Sequence, residues 1–262
     1  MWSQDPDLEE RAASLPALEK SKFLSIPSYL HGWSKPYGGL MGKKVLDFGC
    51  GFGTSAAGVA LLHKSQTVVG VDINEEHRSC AEFLSNNFDI KRLPDNLHFQ
   101  TIHAGEEIAH SDFDFIYAWS VFEHVGIRIF DQVLNGVVKK LKPGGFFFVQ
   151  IAPLYFSPEG SHLWAIGYRN WEHLTNQTSE VYDDIMTAPN ISQAEKLSLW
   201  SMFMRLNRIS TDELIKRFTS AGLECKRLQR DNVEIAPSDS LCQSYNLQAL
   251  LNYQVVAVFQ KH

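Results

Sequence analysis

The stretch from Lys43 to Ile73 constrains the fold of this 262-residue chain more than any other. Val45 to Phe48 is a short apolar run, long enough for a buried strand and too short for a helix. Gly49, Gly51 and Gly53 follow at alternate positions. Glycine there permits positive φ angles and lets a ligand approach the backbone closely. The pattern predicts a strand followed by a tight turn that a ligand can enter.

A helix and a second strand complete this unit. Ser55 to Leu62 is a run of small residues, which suits a helix packed tightly on a sheet. Thr67 to Val71 is a β-branched run that predicts a strand, and Asp72 closes it. The free N–H groups at the start of the helix would face the turn, and an acid at the strand tip can accept both hydroxyls of a ribose. We therefore expect a nucleoside-cofactor site at the carboxyl ends of parallel strands.

Asp47 distinguishes the candidate cofactors. It lies two residues before Gly49, and the glycines have the spacing G-x-G-x-G rather than the G-x-G-x-x-G of dinucleotide-binding chains. An acid at this place would repel a pyrophosphate, but it can anchor the ammonium group of S-adenosylmethionine (SAM), directly or through water. The residues therefore favour SAM over a nicotinamide dinucleotide, and an NAD-linked dehydrogenase is the disfavoured enzyme alternative.

Several segments then resemble one family. VLDFGCGFG closely resembles the first motif of the class I SAM-dependent methyltransferases, and VVGVDIN resembles their second. FDFIYAWSVFEHV is similar to their fourth motif, and LKPGG before an apolar run is a further resemblance. The resemblance implies an α/β fold with a doubly wound, seven-stranded, mostly parallel, Rossmann-like sheet. It also implies SAM as the methyl donor and S-adenosylhomocysteine (SAH) as the product.

The same resemblance indicates the cofactor contacts. Methyltransferases of this class often place an acid near the adenine amino group, but Ala104 occupies that position here. Adenine would then be read by backbone groups of residues 104–106 or by the Glu106 side chain. The end of the fourth strand would lie beside the methionine part of the cofactor. The expected cofactor-binding residues are Asp47, Gly49, Cys50, Gly51, Gly53, Asp72, Ile73, Ala104, Gly105, Glu106, Trp119 and Ser120.

The remaining sequence predicts the rest of the sheet and a long insertion. We expect an N-terminal helical cap over residues 1–40, a SAM-binding core over 41–152, a helical, acceptor-binding lid insertion after strand five over 153–209, and the C-terminal part of the core sheet over 210–262. An insertion of this length predicts a function beyond connecting two elements. The strands expected besides the first two are Leu97–Ile102, Phe113–Trp119, Phe146–Ile151, Leu223–Leu228 and Tyr253–Phe259.

Local signals predict three further details. Ser25 to Gly39 is rich in proline and glycine, which predicts a loop anchored by aromatic residues. Asn74 is expected to cap a helix that runs to Phe88. Ser210 begins the sequence S-T-D-E, which is typical of a capping box with Glu213.

Histidines and aromatic residues indicate where a methyl acceptor would bind. An oxygen acceptor of high pKa needs a general base, and histidine is the natural candidate. His124 lies just past the fourth strand, and His162 and His173 lie in the insertion. Each also has a structural interpretation, as a cofactor shelf or as a hydrogen-bonded core residue. The candidate bases are His124, His162 and His173, and the candidate acceptor-binding residues are Tyr29, Tyr37, Glu123, Tyr155, Trp164 and Trp171.

Composition narrows the class of partner. A net charge of −6 predicts no nucleic-acid partner, and no apolar run approaches the ~18 residues of a membrane helix. The acidic N-terminus does not resemble a signal peptide, so we expect a cytoplasmic protein. The four cysteines lack C-x-x-C spacing and indicate neither zinc nor disulfides. Glu159, His162, Glu172 and His173 match no known metal motif, and we expect no metal.

The expected function is methylation of a small-molecule acceptor, with O-methylation of a sugar, glycan precursor or secondary metabolite as first choice because the insertion offers histidine bases. N-methylation of a small amine is the alternative within enzymes. A non-catalytic module that binds SAM or a partner is an alternative of a different class. A homodimer is compatible with the sequence, which does not fix the oligomeric state.

Overall fold

A seven-stranded sheet in the order β3-β2-β1-β4-β5-β7-β6 organises the chain. In this computed structural model, which describes residues 6–103 and 106–262, the neighbours from β3 to β5 are parallel. The β7 strand runs antiparallel between β5 and β6. The strands are β1 Lys44–Phe48, β2 Thr67–Asp72, β3 Leu97–Thr101, β4 Phe113–Trp119, β5 Leu141–Ile151, β6 Leu223–Asn232 and β7 Asn252–Lys261. The predicted doubly wound, mostly parallel fold is confirmed.

Helices cover both faces of this sheet. They are α1 Pro6–Ala13, α2 Ala17–Lys20, α3 Ile26–Ser34, α4 Thr54–Leu62, α5 Cys80–Phe88, α6 Phe130–Lys140, α7 Glu172–Thr175, α8 Thr178–Thr187, α9 Gln193–Arg205, α10 Thr211–Ser220, α11 Asp239–Ser244 and α12 Leu247–Leu251. Shorter helical turns are Ser21–Ser25, Lys35–Tyr37, Glu76–Ser79, Phe122–His124 and Trp164–Ile166. In the described residues, none of these helices is both long and apolar enough to cross a membrane.

Alternate residues of each strand face opposite layers, as the pleat of a strand requires. The face that carries α3, α4 and α5 includes Tyr117 of β4 and Phe148 of β5. The other face carries α6 and α10 and includes Ile116 and Phe147 from the same two strands. All four side chains are fully buried. The sheet is therefore the shared centre of two apolar layers, and its carboxyl edge is left for a site.

The segment after β5 builds a small core of its own. Tyr155, Leu163, Val181 and Phe203 are buried together there, with contributions from α8 and α9. This packing gives the insertion an internal reason to be ordered. Its role as an acceptor-binding lid stays a prediction.

Three local predictions are corrected. The loop expected over residues 25–39 is largely α3, because Pro27 lies in the first turn, where a missing N–H breaks no helical hydrogen bond. Asn74 does not cap the next helix, since its own backbone N–H donates to Asp72 and the helix begins with the turn Glu76–Ser79. Ser210 caps α10 by accepting the N–H of Glu213, but the Glu213 carboxylate pairs with Arg217 instead of completing a capping box.

Candidate active site

The glycine loop between β1 and α4 differs in its environment from one glycine to the next. Gly49, Gly51 and Gly53 all have positive φ, at +81°, +50° and +73°. A Cβ on Gly49 would lie 2.4 Å from Val121, and one on Gly53 would lie 2.4 Å from the Phe99 ring. A Cβ on Gly51 would meet nothing within 4 Å. The outer glycines are therefore required by packing, and the middle one faces open space that a ligand can fill.

Asp72 holds the loop from the tip of β2. Its carboxylate accepts the N–H of Gly51 at 2.8 Å and the N–H of Asn74 at 2.9 Å. Each oxygen keeps further acceptor capacity, as a ribose diol requires. The adjacent Ile73 is 57% exposed, so its side chain offers an apolar surface next to this carboxylate. Both residues lie where the sequence predicts cofactor contacts.

Cys50 and Glu106 are held by local contacts. The N–H groups of Gly49 and Cys50 both donate to the carbonyl oxygen of Val71, which ties the loop to β2. Burial raises the pKa of the Cys50 thiol, so this residue is a small apolar filler rather than a nucleophile. Glu106 accepts the N–H of His103 at 2.8 Å. The predicted positions Ala104 and Gly105 lie outside the described residues.

Asp47 is less accessible than the sequence indicates. Its side chain is 2% exposed and accepts a hydrogen bond from the Ser55 hydroxyl at 2.8 Å. Burial raises the pKa of Asp47 to about 7, although hydrogen bonds from Tyr117 and Ser55 oppose the shift. A positive charge nearby would restore the ionised form. This carboxylate therefore reaches a ligand through Ser55 or an intervening water rather than across an open surface.

The end of β4 lies beside the loop, because Val121, just past the strand, packs against Gly49. The Trp119 ring stacks on Phe148 at 6.0 Å and meets the edge of Tyr29 at 5.5 Å. Ser120 has a φ of +53° and donates its hydroxyl to Gln150 Oε1 at 3.0 Å. A positive φ outside glycine stores strain and is typical of functional sites. Because Tyr29 contacts Trp119, the last residue of β4, it lies at the carboxyl edge of the sheet.

Sequence reasoning missed the polar partners that surround these residues. Ser55 and Tyr117 contact Asp47, and Gln150 contacts Ser120. One signal for Gln150 was available in the sequence, because a single amide interrupts the apolar run of β5 at a position that the pleat directs into a buried layer. No comparable signal marks Ser55, which is one small residue among many.

Two of the three candidate histidines are anchored to backbone carbonyls. His162 Nε2 lies 3.2 Å from the oxygen of Pro153, and His173 Nε2 lies 2.6 Å from the oxygen of Tyr155. A carbonyl only accepts, so in each neutral ring Nε2 carries the proton and Nδ1 is the basic atom. Burial lowers the pKa of both histidines to about 4. The rings are neutral at pH 7 but weakly basic.

His124 differs from the other two because it is an exposed residue, whereas His162 and His173 are buried. The ring centroids of His124 and His162 are 5.0 Å apart, and those of His162 and Trp164 are 5.2 Å apart. Partial burial, with a smaller contribution from Arg205, lowers the pKa of His124. Trp164 is 43% exposed, so this group of aromatic rings keeps an open surface. The histidine after β4 and the first histidine of the insertion thus form one cluster.

Two predicted acceptor-binding residues lie elsewhere. Tyr37 packs 4.6 Å from Phe146, near the amino end of β5 and away from the carboxyl edge. Trp171 is buried, and its indole N–H donates to the carbonyl oxygens of Phe156 and Leu250. The structure therefore does not bring either side chain to the carboxyl edge: Trp171 is a core residue, and Tyr37 is partly buried against Phe146. Tyr155 is also largely buried, with Arg208 5.1 Å above its ring.

Glu123 has an unusual environment. Its side chain is 4% exposed, and neither carboxyl oxygen has a hydrogen-bond partner among the described residues. Burial raises its pKa to about 8, so the group is largely neutral at pH 7. It lines a small cavity with Tyr155 and Asn207. A separate cavity of about 470 Å³, lined in part by Asn207 and Arg208, contains none of the predicted site residues.

The acids and histidines of the insertion have other partners. Glu159 contacts the Trp164 indole and Arg169, and Glu172 accepts the backbone N–H of Arg169. Across residues 6–103 and 106–262, no three histidine, cysteine or acidic side chains are grouped so that they could hold a metal ion.

Comparison with known proteins agrees with this geometry. Residues 46–147 match the family described as "Methyltransferase domain". The chain is 32% identical over 108 residues to the cyclopropane-fatty-acyl-phospholipid synthase of Escherichia coli K12, and this match covers 41% of this chain and 26% of the synthase. It is 32% identical over 115 residues to the ubiquinone biosynthesis O-methyltransferase of Psychrobacter arcticus, and this second match covers 41% of this chain and 40% of that enzyme.

A solved structure extends the likeness to the whole fold. The magnesium protoporphyrin IX methyltransferase of Synechocystis, determined with bound SAH, superposes with a TM-score of 0.53 at 13% identity, over 98% of this chain and 94% of the other. The sequence matches cover less than half of each curated relative, so they concern the core around the glycine loop. Together with the strand order and the glycine cradle, they show that residues 46–147 form a methyltransferase domain of the class I SAM-dependent type.

Proposed function

We propose that this chain transfers the methyl group of SAM to a hydroxyl of a small molecule, in the O-methylation of a sugar, glycan precursor or secondary metabolite. The observation that carries the proposal is the glycine cradle, in which Gly49 and Gly53 are packed while Gly51 faces open space beside Asp72. A nucleoside fits such a cradle when its ribose reaches the acid. A relative described as an O-methyltransferase supports oxygen as the accepting atom.

In this proposal, different residues around the cradle bind different parts of the cofactor. We assign the ribose hydroxyls to Asp72 and one face of the adenine to the exposed side chain of Ile73. Asp47 would receive the ammonium group through Ser55 or water. The methionine part would lie beside the backbone of Trp119 and Ser120 at the end of β4, which leaves the Ser120 hydroxyl to the acceptor. SAM itself supplies a methyl group on a positively charged sulfur, so the protein mainly has to place the acceptor in line.

A general base is required when the accepting hydroxyl has a high pKa. Among the candidates, His124 is the best placed, because it is an exposed residue while His162 and His173 are buried and each hold a backbone carbonyl. In the neutral form it can take the proton of an acceptor hydroxyl as the carbon–oxygen bond forms. His162, 5.0 Å away, would then orient His124 and shield it from water.

The insertion and the N-terminal helices complete the enclosure in this proposal. Tyr29 of α3 closes the site over Trp119, and the part of the insertion that holds His162 and Trp164 closes it beside His124. The acceptor would enter between these two elements. The cap over residues 1–40 and the lid over 153–209 thus each contribute one wall.

Calorimetry with SAM, SAH and NAD, followed by transfer of labelled methyl to hydroxyl, amine and carboxylate acceptors, tests the function. We expect binding of SAM and SAH but not of NAD, and label transfer to hydroxyl acceptors that falls in a His124→Gln variant. Binding of NAD alone would overturn the cofactor assignment. Transfer only to amines would favour N-methylation, and SAH binding without transfer to any acceptor would favour a non-catalytic module.

A further inference from the structure

Four polar side chains form a line across the sheet face that carries α3. Ser120 Oγ lies 3.0 Å from Gln150 Oε1, and Gln150 Nε2 lies 2.7 Å from Gln254 Oε1. The amide of Gln254 then donates to the carboxylate of Asp231. The line follows the strand order β4, β5, β7, β6 along the carboxyl edge of the sheet. We name these four residues the polar chain.

The neighbouring positions on the same strand faces as Gln150 and Gln254 are apolar. Phe148 precedes Gln150 on the same face of β5, and Val256 follows Gln254 on the same face of β7, and both are fully buried. Gln150 is itself only 2% exposed. A buried amide is tolerated when its groups are paired, and each link of the chain supplies that pairing. A paired network also fixes the orientation of its members. Ser120 is the end of the chain opposite to Asp231, so the network fixes the orientation of the Ser120 hydroxyl.

The carboxylate of Asp231 sets the direction of every hydrogen bond in the chain. A carboxylate only accepts, so Gln254 must present its NH₂ group to Asp231 and its carbonyl oxygen to Gln150. Gln150 must then donate to Gln254 and present its own carbonyl oxygen to Ser120. Ser120 has one hydroxyl hydrogen, and that hydrogen is used on Gln150. The Ser120 oxygen can therefore only accept a hydrogen bond from a bound molecule.

Ser120 is held where a bound molecule would meet it. Its backbone N–H donates to the carbonyl oxygen of Gln150 at 2.9 Å, and its φ of +53° turns the chain at the end of β4. The next residue, Val121, packs against Gly49 of the glycine loop. The rings of Trp119 and Tyr29 lie on the same side. A hydrogen-bond acceptor of fixed orientation thus lies between the cofactor loop and the aromatic wall.

On the basis of the proposed methyl transfer, we infer that the polar chain selects the acceptor. Beside the hydroxyl whose proton His124 takes, the acceptor must carry a second group that donates a hydrogen bond to Ser120, as a neutral hydroxyl does and a carboxylate, a fully ionised phosphate or an ether does not. Ser120 contacts the acceptor directly. Gln150, Gln254 and Asp231 are positioning residues that act through it. The chain therefore favours methyl acceptors that carry a second neutral hydroxyl over those whose second group is an ionised acid or an ether.

Binding of two matched probes to the SAH complex tests this inference without turnover. Catechol carries hydroxyl donors, and its dimethyl ether keeps the ring but offers acceptors only. Calorimetry on the wild-type complex is expected to show catechol binding on the order of tenfold more tightly, as one hydrogen bond would give. Asp231→Asn lets the end of the chain donate as well as accept, so the remaining groups can reverse. The preference should then fall to within twofold.

A second variant and a control separate this role from a structural one. Gln254→Leu interrupts the chain and should also abolish the preference, and thermal unfolding of both variants monitors the fold. Gln260→Leu removes a hydrogen bond to Gly144 at the other end of β7 and should leave the preference unchanged. A purely structural role would lower the affinities for both probes together and would not change their ratio.

Each other outcome has a distinct meaning. Equal or undetectable binding of the two probes by the wild-type complex contradicts the inference, as does an unchanged ratio in both variants. A loss of SAH affinity above tenfold in Asp231→Asn with an unchanged ratio would assign Ser120 to the cofactor and also overturn it. Failure of the wild-type protein to bind SAM or SAH would refute the proposed function itself, whereas intact SAH binding without a preference for catechol refutes only the role of the polar chain.

Discussion

The hydroxyl of Ser55, in the first turn of α4, donates a hydrogen bond to the buried carboxylate of Asp47, 2.8 Å away. This bond favours the ionised form of an acid whose pKa burial raises to about 7. Ser55→Ala should raise that pKa further and weaken SAH binding several-fold at pH 7, as the loss of one hydrogen bond to a charged group implies. Calorimetry at pH 7 and pH 9 measures the effect.

The pH dependence of that variant makes the test specific. Asp47 is ionised at pH 9 in either protein, so the difference in Kd should narrow there. Ser111→Ala, which removes a comparable serine–aspartate contact with Asp112 on the surface, should leave SAH binding unchanged. An equal loss of affinity at both pH values would show that Ser55 acts by contact or packing and not through the ionisation of Asp47.

Asp72→Asn should reduce SAH affinity at least about tenfold. The amide retains one acceptor oxygen, so it cannot hold the Gly51 and Asn74 N–H groups and a ribose diol as the carboxylate does. Asp95→Asn, at an exposed acid 3.8 Å from Arg92, is the matched control and should bind SAH normally. An unchanged Kd in Asp72→Asn would remove Asp72 from the cofactor site.

Glu123→Gln should stabilise the protein increasingly as pH rises. Burial raises the pKa of Glu123 from 4.5 to about 8, so the folded state holds a proton that the unfolded state releases. Wild-type stability therefore falls between these two pH values, by at most about 1.4 kcal/mol per pH unit. Glutamine cannot ionise and avoids this loss. Urea unfolding at pH 5 and pH 8 measures the difference, and the exposed Glu82→Gln should show none of it. A gain independent of pH would mean that Glu123 is not buried as a neutral acid.

The two carbonyl-anchored histidines should not shape the pH–rate profile between pH 6 and 9. His162 has a pKa of about 4, far below this range. His162→Gln keeps a donor for Pro153 and should retain most activity, whereas His162→Ala should lose about 1–3 kcal/mol of stability by leaving that carbonyl unpaired. A profile limb near neutral pH that disappears in His162→Gln would contradict this assignment.

His124→Gln should lower kcat by roughly 10²–10⁴-fold, the range expected for a general base. The affinity for SAH should stay within about twofold of the wild-type value, because the ring is proposed to act on the acceptor. His98→Gln, at an exposed histidine 6.1 Å from His110, should be neutral. Unchanged turnover in His124→Gln would leave the acceptor's own acidity as the source of reactivity.

The glycine loop offers a test by volume. Gly53→Ala must fit a Cβ at 2.4 Å from Phe99 with a φ of +73°, so both crowding and strain apply. Gly38→Ala has a similar positive φ but no neighbour within 4 Å, so only strain applies. We expect Gly53→Ala to lose about 1–3 kcal/mol more stability than Gly38→Ala, and Phe99→Leu to recover part of the difference. Equal losses would contradict the packing of Phe99 on the loop.

The structure from β1 to β2 can be predicted from the sequence because four separate signals in it agree. An apolar run, a glycine turn, a helix of small residues and an acid at a strand tip all indicate one arrangement, and β4 is predicted to the residue. The α3 segment fails because its proline and glycine content is typical of loops. Pro27 lies in a first turn, and packing of Tyr29 on Trp119 and of Trp33 on Phe148 stabilises the helix.

The residues of the proposed acceptor site are harder to predict from the sequence, for a different reason. Aromatic residues and histidines have the same appearance in a sequence whether they line a pocket or fill a core. Trp171 is a core residue, Tyr37 is partly buried against Phe146, and His173 holds a backbone carbonyl. The polar chain escapes sequence analysis because Gln150 and Gln254 lie far apart in the sequence, and only the antiparallel pairing of β5 and β7 brings them together.

The position of β7 has a consequence for how the protein assembles during synthesis. The strands that carry the glycine loop, β1 to β5, pair in parallel with one another and leave the ribosome early. The β6 strand has no place beside them until β7, which follows it in the chain, has inserted between β5 and β6. A nascent chain can therefore form the cofactor half of the site first. Gln254 and Asp231 join Gln150 only when β7 is in place, so the polar chain is complete only when the sheet is complete.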